Sequence, residues 1–321
     1  MCRKANTQGW MLPGIFLTLI IATCFPLKLH AQPPSLRIAL LPILDTFPYY
    51  VAEAKGFFDK YGVNVKAVPV ASGLERDQLM QSGAIDGMLN EMITTANFNR
   101  DRIQVKTVIS ARKAYPNYPL FRLLSAPGSG LRSASDLAGV PIGISKNTII
   151  EYVTDRLLAA EGLDPQTINK KSVPVIPERY QLLLQGQLKA ATLPDPLAKS
   201  ALEAGAGEVV DDASYPDYSV SVLSFSVNAL TNKPKAVRFF LKAWDRATAA
   251  INADPESFRE LLLKKIRVPK NIRKKFKIPP YPRSQVPDAE QWADVMNWMK
   301  DKGLLDSSLP YGDSVTADYL P

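Results

Sequence analysis

The stretch from Leu36 to Pro69 constrains the fold more than any other part of the chain. It begins with an apolar run that predicts a buried strand, and Pro42 ends that strand because proline has no N–H for a ladder. Apolar residues then recur at steps of three and four, as on one helical face, up to Gly62, which suits a helix end. Alternating residues from Asn64 onward predict a second strand. This order is typical of a βαβ unit, which is normally right-handed with parallel strands.

Ligands in open α/β sheets bind beyond the carboxyl ends of the strands. The loop after the first strand is therefore the first candidate binding segment, and it leads directly into a helix. A Ser-Gly turn follows the second strand, and the next short strand, 85–90, ends in a polar pair. Backbone amides at such helix starts can hold an anion, although the Ser-Gly turn is equally consistent with a plain helix cap. The ligand-binding residues predicted in this half are Leu44, Asp45, Thr46, Phe47, Ser72, Gly73, Asn90 and Glu91.

The order of these elements repeats about one hundred residues later. The run from Val140 to Ile144 matches the first strand, and Gly162 ends the following helix as Gly62 ends the first. Chance can produce such an order, because βαβαβ is common, but the matched glycines favour two similar lobes with a ligand cleft between them. Arg179 either reaches the cleft or forms a surface ion pair, and the surface is favoured. The ligand-binding residues predicted in the second lobe are Ser145, Asn147, Thr148 and Asp195, and the first three are equally consistent with helix capping.

Residues 1–31 have the features of a cleavable signal peptide. A basic start precedes an apolar run, and Ala31 supplies the small residue before the cleaved bond. The alternatives are a lipid anchor on Cys24 and an uncleaved membrane anchor, for which the run is shorter than the ~20 residues that span a bilayer. Cleavage would make the protein periplasmic and would remove Cys2, Cys24 and His30, the only cysteines and the only histidine of the chain. The mature chain would then have no side chain for disulfides, and none for thiol or imidazole chemistry.

Positive charge is concentrated at residues 264–277, which include the run KNIRKKFK, in a chain of formal charge +8. One interpretation is a nucleic-acid-binding patch. A solvated surface is favoured, because no nucleic-acid-binding motif accompanies the charge. No nucleic-acid partner is therefore predicted.

Two segments rich in proline and tyrosine, at 112–119 and 215–218, are predicted to cross between the lobes. The helices after the second crossing carry aromatic side chains that are predicted to pack on the first lobe. The predicted organisation is a signal peptide at 1–31, a discontinuous first lobe at 36–116 and 220–321, and a second lobe at 117–219.

Several segments match a known family in their order and spacing: YYVAEAKGFFDKYGV (49–63), SGAIDGML (82–89), SASDLAGVPIGI (133–144), LLAAEGLDP (157–165), DPLA (195–198) and WMKDKGLL (298–305). Through them the chain resembles the periplasmic solute-binding proteins of ABC importers, in the branch that handles sulfonates, taurine, nitrate and thiamine-pyrimidine precursors. The resemblance implies a two-lobed α/β fold of type II, in which each lobe is a mostly parallel sheet flanked by helices. Two crossing strands would join the lobes as a hinge. Lys189 departs from the family pattern, which often has Asp there, and the loop PILDTFP matches no particular ligand.

This resemblance implies a monomeric binding protein that captures a small polar solute and delivers it to a membrane permease with its ATPase. It implies no cofactor, no metal and no catalytic residue. A sensor lobe that docks on a membrane receptor is an open alternative. An enzyme resembling the thiamine-pyrimidine synthases is disfavoured, because those rely on histidine and cysteine chemistry, and so is a carboxylate-pair hydrolase that uses Glu91 and Asp195.

The charge of the ligand is left open by two opposing features of the predicted rim. Three loops lead into helix starts, whose free amides favour an anion. Asp45, Glu91 and Asp195 at the same rim favour a ligand with donors or positive charge. A zwitterion or a neutral heterocycle would satisfy both.

Overall fold

The computed structural model of the protein describes residues 33–321 together with residues 1, 2, 5 and 9. The predicted cleavage after Ala31 and the alternative lipid anchor at Cys24 lie outside the described residues. Residues 33–321 form one unit, and all elements below belong to it. Within the described part, we find no helix with the length and apolar character that a bilayer span requires.

Strands and helices alternate along most of this unit. The strands are β1 (Ser35–Leu40), β2 (Asn64–Pro69), β3 (Gly87–Glu91), β4 (Val105–Lys113), β5 (Phe121–Ser125), β6 (Ile142–Ile144), β7 (Lys170–Ser172), β8 (Ala190–Pro194), β9 (Gly207–Asp211) and β10 (Val220–Ser226). The α-helices are α1 (Phe47–Ala54), α2 (Phe57–Tyr61), α3 (Gly73–Gln81), α4 (Met92–Asn99), α5 (Ile149–Ala160), α6 (Ile176–Leu184), α7 (Leu197–Glu203), α8 (Val227–Asn232), α9 (Pro234–Ala253), α10 (Arg259–Lys265), α11 (Ala289–Asp301) and α12 (Tyr311–Ser314).

The strands form two five-stranded sheets built on the same plan. The first sheet has the order β2-β1-β3-β10-β4 and the second β7-β6-β8-β5-β9. In each sheet the first three strands are parallel, and the fourth is antiparallel to both neighbours. The predicted fold of two mostly parallel sheets flanked by helices is therefore confirmed. We call the body around the first sheet lobe 1 and the body around the second sheet lobe 2.

The first predicted helix is divided in two. Gly56 separates α1 from α2 and has a left-handed φ of 65°, which glycine adopts without steric cost. The apolar residues still share one buried face, because Val51 of α1 and Phe58 of α2 both lie in the core of lobe 1. Phe58 stacks on Phe240 of α9 with ring centroids 5.8 Å apart. The break at Gly56 divides the predicted helix, but Val51 and Phe58 of its predicted apolar face are still in the core.

The chain passes between the lobes twice, from β4 to β5 and from β9 to β10. Asp212 ties the two crossings together, because its carboxylate accepts hydrogen bonds from the amides of Leu120 and Phe121, both at 2.8 Å. The Asp212 side chain is fully buried. The two crossings therefore meet at one buried charged group.

Helix α11 packs against both lobes, so the prediction that the C-terminal helices pack on lobe 1 is wrong for this helix. Its buried side chains lie in one apolar cluster with residues of α4 in lobe 1 and of α5 in lobe 2. Asp294 of α11 accepts hydrogen bonds from Tyr152 Oη at 2.6 Å and from Arg156 Nε at 2.8 Å, both in α5. The amphipathic pattern correctly predicted that α11 has a buried face. That face contacts α4 of lobe 1 and α5 of lobe 2 at the same time. Helix α9, in contrast, packs in the core of lobe 1 as predicted.

Gly87 marks a close approach inside lobe 1. A Cβ atom at this position would lie 2.8 Å from Cε1 of Phe225 and 3.1 Å from Cδ1 of Ile38. We expect Gly87→Ala to lower the free energy of unfolding by about 1–2 kcal/mol, because side chains in a close-packed core must shift. Gly312→Ala is the control, since its Cβ would meet nothing within 4 Å. Urea denaturation measures both variants, and equal losses would contradict the packing argument.

Candidate functional site

A cavity of about 320 Å³ opens between the lobes beside the first crossing. Its wall combines the end of β4, the start of β5, the region from Asp195 to Glu203 and the segment 275–279 that follows α10. A volume of this order suits a small solute. The charged residues in the wall are the basic Arg112, Arg122, Lys199, Lys275 and Lys277 and the acidic Asp195 and Glu203. The cavity therefore carries more positive than negative side chains.

Arg112 is the most buried charged residue of this wall, with a relative exposure of 1 %. Its Nη1 lies 3.4 Å from Oδ2 of Asp45, so the predicted site residue Asp45 faces a guanidinium. Its Nε is buried and has no hydrogen-bond partner among the described residues. A buried donor without an acceptor is unfavourable, so the Arg112 side chain is held at a cost in stability. The sequence pattern places Arg112 in a crossing and gives no signal that this residue belongs to the site.

Asp195 is the predicted site residue that lines the cavity. Its Oδ1 accepts a hydrogen bond from the amide of Lys199 at 3.0 Å and lies 3.4 Å from Nε of Arg122. Arg122 also pairs with Glu208 and Asp211. Burial raises the pKa of the Asp195 carboxyl, and Arg122 and Arg112 oppose that rise. The carboxylate is thus held in a fixed position by its own lobe.

The loop after β1 is buried. Leu44, Asp45, Thr46 and Phe47 are each less than a tenth exposed, and Leu44 and Phe47 belong to the core of lobe 1. Thr46 Oγ1 donates hydrogen bonds back to the carbonyls of residues 41 and 43, and the Leu44 carbonyl accepts from Tyr281 Oη at 2.8 Å. Within the described residues, this loop reaches the cavity through the contact of Asp45 with Arg112.

The Ser72-Gly73 turn serves as a helix cap. Ser72 is exposed, and its Oγ accepts a hydrogen bond from the amide of Glu75 at 3.2 Å. The Glu75 carboxylate in turn accepts from the amide of residue 71 at 2.7 Å. A Cβ on Gly73 would lie 3.5 Å from the guanidinium of Arg76, a buried residue of α3. Ser72 therefore caps α3, and an acid of the same helix binds the amide just before the turn.

Asn90 and Glu91 lie at the end of β3, as predicted, and point to different partners. Asn90 is buried, its Nδ2 donates to Thr95 Oγ1 at 2.9 Å, and its Oδ1 has no partner among the described residues. Glu91 Oε2 lies 3.3 Å from Nη1 of Arg76. Glu91 also borders a gap of about 10 Å³ between the lobes, opposite Ile149 at the start of α5. These residues therefore lie on lobe 1 where it meets lobe 2.

The loop between β6 and α5 brings the other predicted residues of lobe 2 together. Thr148 caps α5 by accepting a hydrogen bond from the amide of Ile150 at 3.2 Å. Asn147 has a left-handed φ of 59°, and its amide donates to Glu151 Oε2 at 2.6 Å. Ser145 is buried at the end of β6. In this loop the amides of Asn147 and Ile150 are therefore both bound by nearby side chains.

Arg179 is fully buried, so the favoured prediction of a surface ion pair is wrong. Its Nε donates to the carbonyl of Thr192 at 3.0 Å. Its Nη1 donates to Ser145 Oγ at 2.9 Å and to the carbonyl of Val173 at 2.7 Å. Helix α6 turns this residue toward the sheet together with Leu183, and an arginine on the inner face of a helix cannot be recognised from charge alone.

The segment after α10 joins the two lobes and was not predicted as part of the site. Its Ile272, Phe276 and Ile278 are buried in the core of lobe 1. Its Asn271 exchanges two hydrogen bonds with Ser200 of α7, at 2.8 and 3.0 Å. Lys275 Nζ lies 2.7 Å from Glu203 Oε2 of the same helix. The alternation of buried apolar and exposed basic residues was the sequence signal that this segment packs against the rest of the protein. The basic run was predicted to be a solvated surface, but Lys275 and Lys277 line the cavity.

Comparison with known proteins identifies the family. Residues 44–258 match the family model described as NMT1/THI5 like. A Brachyspira hyodysenteriae protein, provisionally named an ABC transporter periplasmic binding protein, is 24 % identical over 253 residues, which cover 71 % of this chain and 68 % of that protein. A Haemophilus influenzae protein, provisionally named a thiamine biosynthesis protein, is 25 % identical over 278 residues, covering 81 % of this chain and 83 % of that protein.

Among solved structures, the alkanesulfonate-binding protein SsuA of Xanthomonas axonopodis pv. citri, bound to MOPS, superimposes with a TM-score of 0.72. It is 18 % identical, and the superposition covers 89 % of this chain and 99 % of that chain. The shared fold is that of the two-lobed periplasmic binding proteins. Because the family model spans more than half of the sequence, the chain belongs to the NMT1/THI5-like family.

Proposed function

We propose that this protein is the extracytoplasmic solute-binding component of an ABC importer. It captures a small polar solute between its lobes and delivers it, as a monomer, to a membrane permease. The observation that carries the proposal is the cavity of about 320 Å³ whose wall is built by both lobes and by a crossing between them. The names of the Brachyspira hyodysenteriae and Xanthomonas axonopodis proteins support the same role.

The solute is an anion or a zwitterion in this proposal. Arg112, Arg122 and three lysines line the cavity, against the two acids Asp195 and Glu203. Asp195 is the carboxylate best placed to meet an ammonium group, as in a taurine-like solute. A sulfonate-, taurine- or nitrate-like solute fits these charges better than a cationic aminopyrimidine. The role involves binding without a chemical step.

The proposed movement is closure of lobe 2, residues 117–219, against lobe 1, residues 36–116 and 220–321. Domain closure of this kind is absorbed by a few residues at the crossings. Small-angle scattering of the mature protein should show a smaller radius of gyration at saturating solute. Protein purified under native conditions and then denatured should release a small anion or zwitterion, which mass spectrometry would detect. A protein that releases nothing, and binds neither sulfonates, taurine nor nitrate in calorimetry, would contradict the proposal.

Two lysines of one basic run provide a matched test of the charge assignment. Lys277 lines the cavity, whereas Lys274 is exposed on the same segment and lies outside the cavity wall. We expect Lys277→Met to weaken sulfonate binding by about two- to fivefold, the size of a solvent-screened charge interaction. Lys274→Met should leave it within experimental error. Calorimetric titration measures both, and equal effects would mean that the cavity does not hold the anion.

A further inference from the structure

The two lobes repeat one arrangement around a buried arginine. Helix α3 contains Arg76 in the sequence ERDQL, and α6 contains Arg179 in the sequence ERYQL. Arg76 Nη1 donates to the carbonyl of Leu89 in β3 at 3.0 Å, and Arg179 Nε donates to the carbonyl of Thr192 in β8 at 3.0 Å. In both lobes the acceptor lies 13 residues after the arginine. The arginines are therefore structural counterparts.

Their charges are balanced differently. Arg76 lies 2.8 Å from Asp77 Oδ1 and 3.3 Å from Glu91 Oε2. At the corresponding positions lobe 2 has Tyr180 and Pro194, which carry no charge. Within residues 33–321 no carboxylate forms an ion pair with Arg179, and its buried Nη2 has no hydrogen-bond partner. Burial lowers the pKa of Arg179 to about 10.

An unbalanced guanidinium in a protein interior is unfavourable, and proteins normally pair such groups or use them. Arg179 has an exposure of 0 %, so bulk water does not compensate its charge. Lobe 2 thus holds a positive charge that the described protein groups do not neutralise, whereas lobe 1 has neutralised its counterpart.

The unbalanced charge lies directly behind the loop that begins α5. Arg179 Nη1 donates to Ser145 Oγ at 2.9 Å, and Ser145 Oγ donates to the carbonyl of Pro174. Helix α5 has 12 residues, and in the described part of the chain the amide of its first residue, Ile149, donates to no protein acceptor. Ile149 borders the gap that faces Glu91 of lobe 1. A group bound at this helix start would lie between the lobes.

We propose that Arg179 is the buried counter-charge for an oxyanionic group of the solute, such as a sulfonate or a carboxylate, that binds at the loop Ser145–Ile149 of lobe 2. The inference rests on the proposed function and places the anionic group of the solute at a loop of lobe 2 that is not itself part of the wall of the cavity of about 320 Å³. Arg179 is a positioning residue, because it acts through Ser145 and through its charge. Of the three helix starts that sequence analysis treated alike, this is the one whose buried arginine remains unpaired.

The experiment compares a sulfonate with its uncharged isostere. Calorimetry at constant ionic strength measures the affinities of the mature protein for methanesulfonate and for methanesulfonamide, and their ratio defines the anion preference. We expect Arg179→Gln to reduce this preference at least about tenfold, because a charge-assisted interaction is lost. Arg179→Lys should retain most of the preference because it keeps the charge.

Arg76→Gln is the matched control from the other lobe. Its arginine has the same position in the repeat, but Asp77 and Glu91 already balance it. This variant should shift the thermal midpoint and change the anion preference much less than Arg179→Gln does, since it removes no charge from lobe 2. An Arg179→Gln protein that is folded by circular dichroism and keeps the wild-type preference would overturn the inference.

Ser145→Ala, together with Arg179→Lys, tests the inference if Arg179→Gln does not fold. Ser145→Ala should weaken methanesulfonate binding while Arg179→Lys preserves it, and wild-type affinity in Ser145→Ala would overturn the inference. A wild-type protein that captures a solute but shows no preference for methanesulfonate also overturns it and leaves the proposed function standing. A wild-type protein that captures no solute refutes the proposed function itself.

Discussion

Replacing Arg112 with Met should lower the free energy of unfolding by about 3–5 kcal/mol, because it leaves a buried carboxylate without its cation. Arg112 Nη1 lies 3.4 Å from Asp45 Oδ2, and the two side chains are only 2 % and 9 % exposed. Arg112 also opposes the rise that burial causes in the pKa values of Asp195 and Asp212. The substitution therefore affects three acidic groups near the crossings at once. It should abolish measurable sulfonate binding as well, since Arg112 lines the cavity.

Lys113→Met is the control for this prediction, because Lys113 is the next residue, is half-buried, and places its Nζ 5.4 Å from the centroid of the Tyr115 ring. Urea denaturation followed by tryptophan fluorescence measures both variants, and Lys113→Met should lose less than about 1 kcal/mol. The double variant Asp45→Ala with Arg112→Met should recover part of the loss, since it removes both charges. If Lys113→Met were as damaging as Arg112→Met, the buried pair would not explain the effect.

Replacing Asp212 with Asn should cost about 2–3 kcal/mol at neutral pH, because one carboxylate oxygen that accepts from a backbone amide becomes a donor facing a donor. The two affected amides, Leu120 and Phe121, belong to the other crossing. Asp217→Asn is the control, since Asp217 is exposed in the same crossing. Thermal or urea denaturation should show the loss in the first variant alone.

The same variant gives a pH dependence whose sign follows from the pKa of Asp212. Burial raises the pKa of Asp212 to about 6, while the neighbouring Ser219 hydroxyl and the amides of Phe121 and Leu120 oppose the rise. The folded state therefore binds this proton more tightly than the unfolded state, so the stability from this group is full at low pH and is lost as the pH rises through 6. Between pH 7 and pH 5 the wild type should gain about 1 kcal/mol relative to Asp212→Asn. If the difference in free energy of unfolding between the wild type and Asp212→Asn became smaller on acidification, the raised pKa of Asp212 would be contradicted.

The local pattern of the sequence was sufficient to predict the two lobes. Strand runs, helix periodicity and the matched glycines Gly62 and Gly162 are short-range signals, and they placed the loops at the carboxyl ends of the strands. Contacts between distant residues were not predictable in this way. Asp45 and Arg112 are 67 residues apart, and no periodicity links them. That Arg112 and Lys275 line one cavity therefore could not be predicted from the sequence and became visible only in the folded structure.

Capping and anion binding were predicted as equally consistent with two of the helix starts, and the structure shows acids of the first turn taking part in both caps. Glu75 accepts a hydrogen bond from the amide of Ala71 before α3, and Glu151 accepts one from the amide of Asn147 before α5. At the start of α5 the amide of Ile149 has no acceptor among the described residues. An acid in the first turn was visible in both sequences and is a known capping signal. The direction of Arg179 was not visible, because helix periodicity identifies an inner face but does not say which polar groups that face will meet. Whether the twelve predicted residues bind the solute stays a prediction.

The packing of α11 against both lobes bears on where the proposed closure can occur. In that closure the apolar cluster shared by α4, α5 and α11 would act as a pivot, and the displacement of any point would grow with its distance from it. The strands β2 and β7 form the edges of their sheets farthest from the crossing-side strands β4 and β9, so the loops that follow them should travel farthest. Leu74 and Val175, which follow β2 and β7 along the chain, are exposed apolar residues, one in each lobe. In the proposed closure these two loops would form the entrance of the cleft and set how long a solute stays bound, whereas the charged wall of the cavity would set its selectivity.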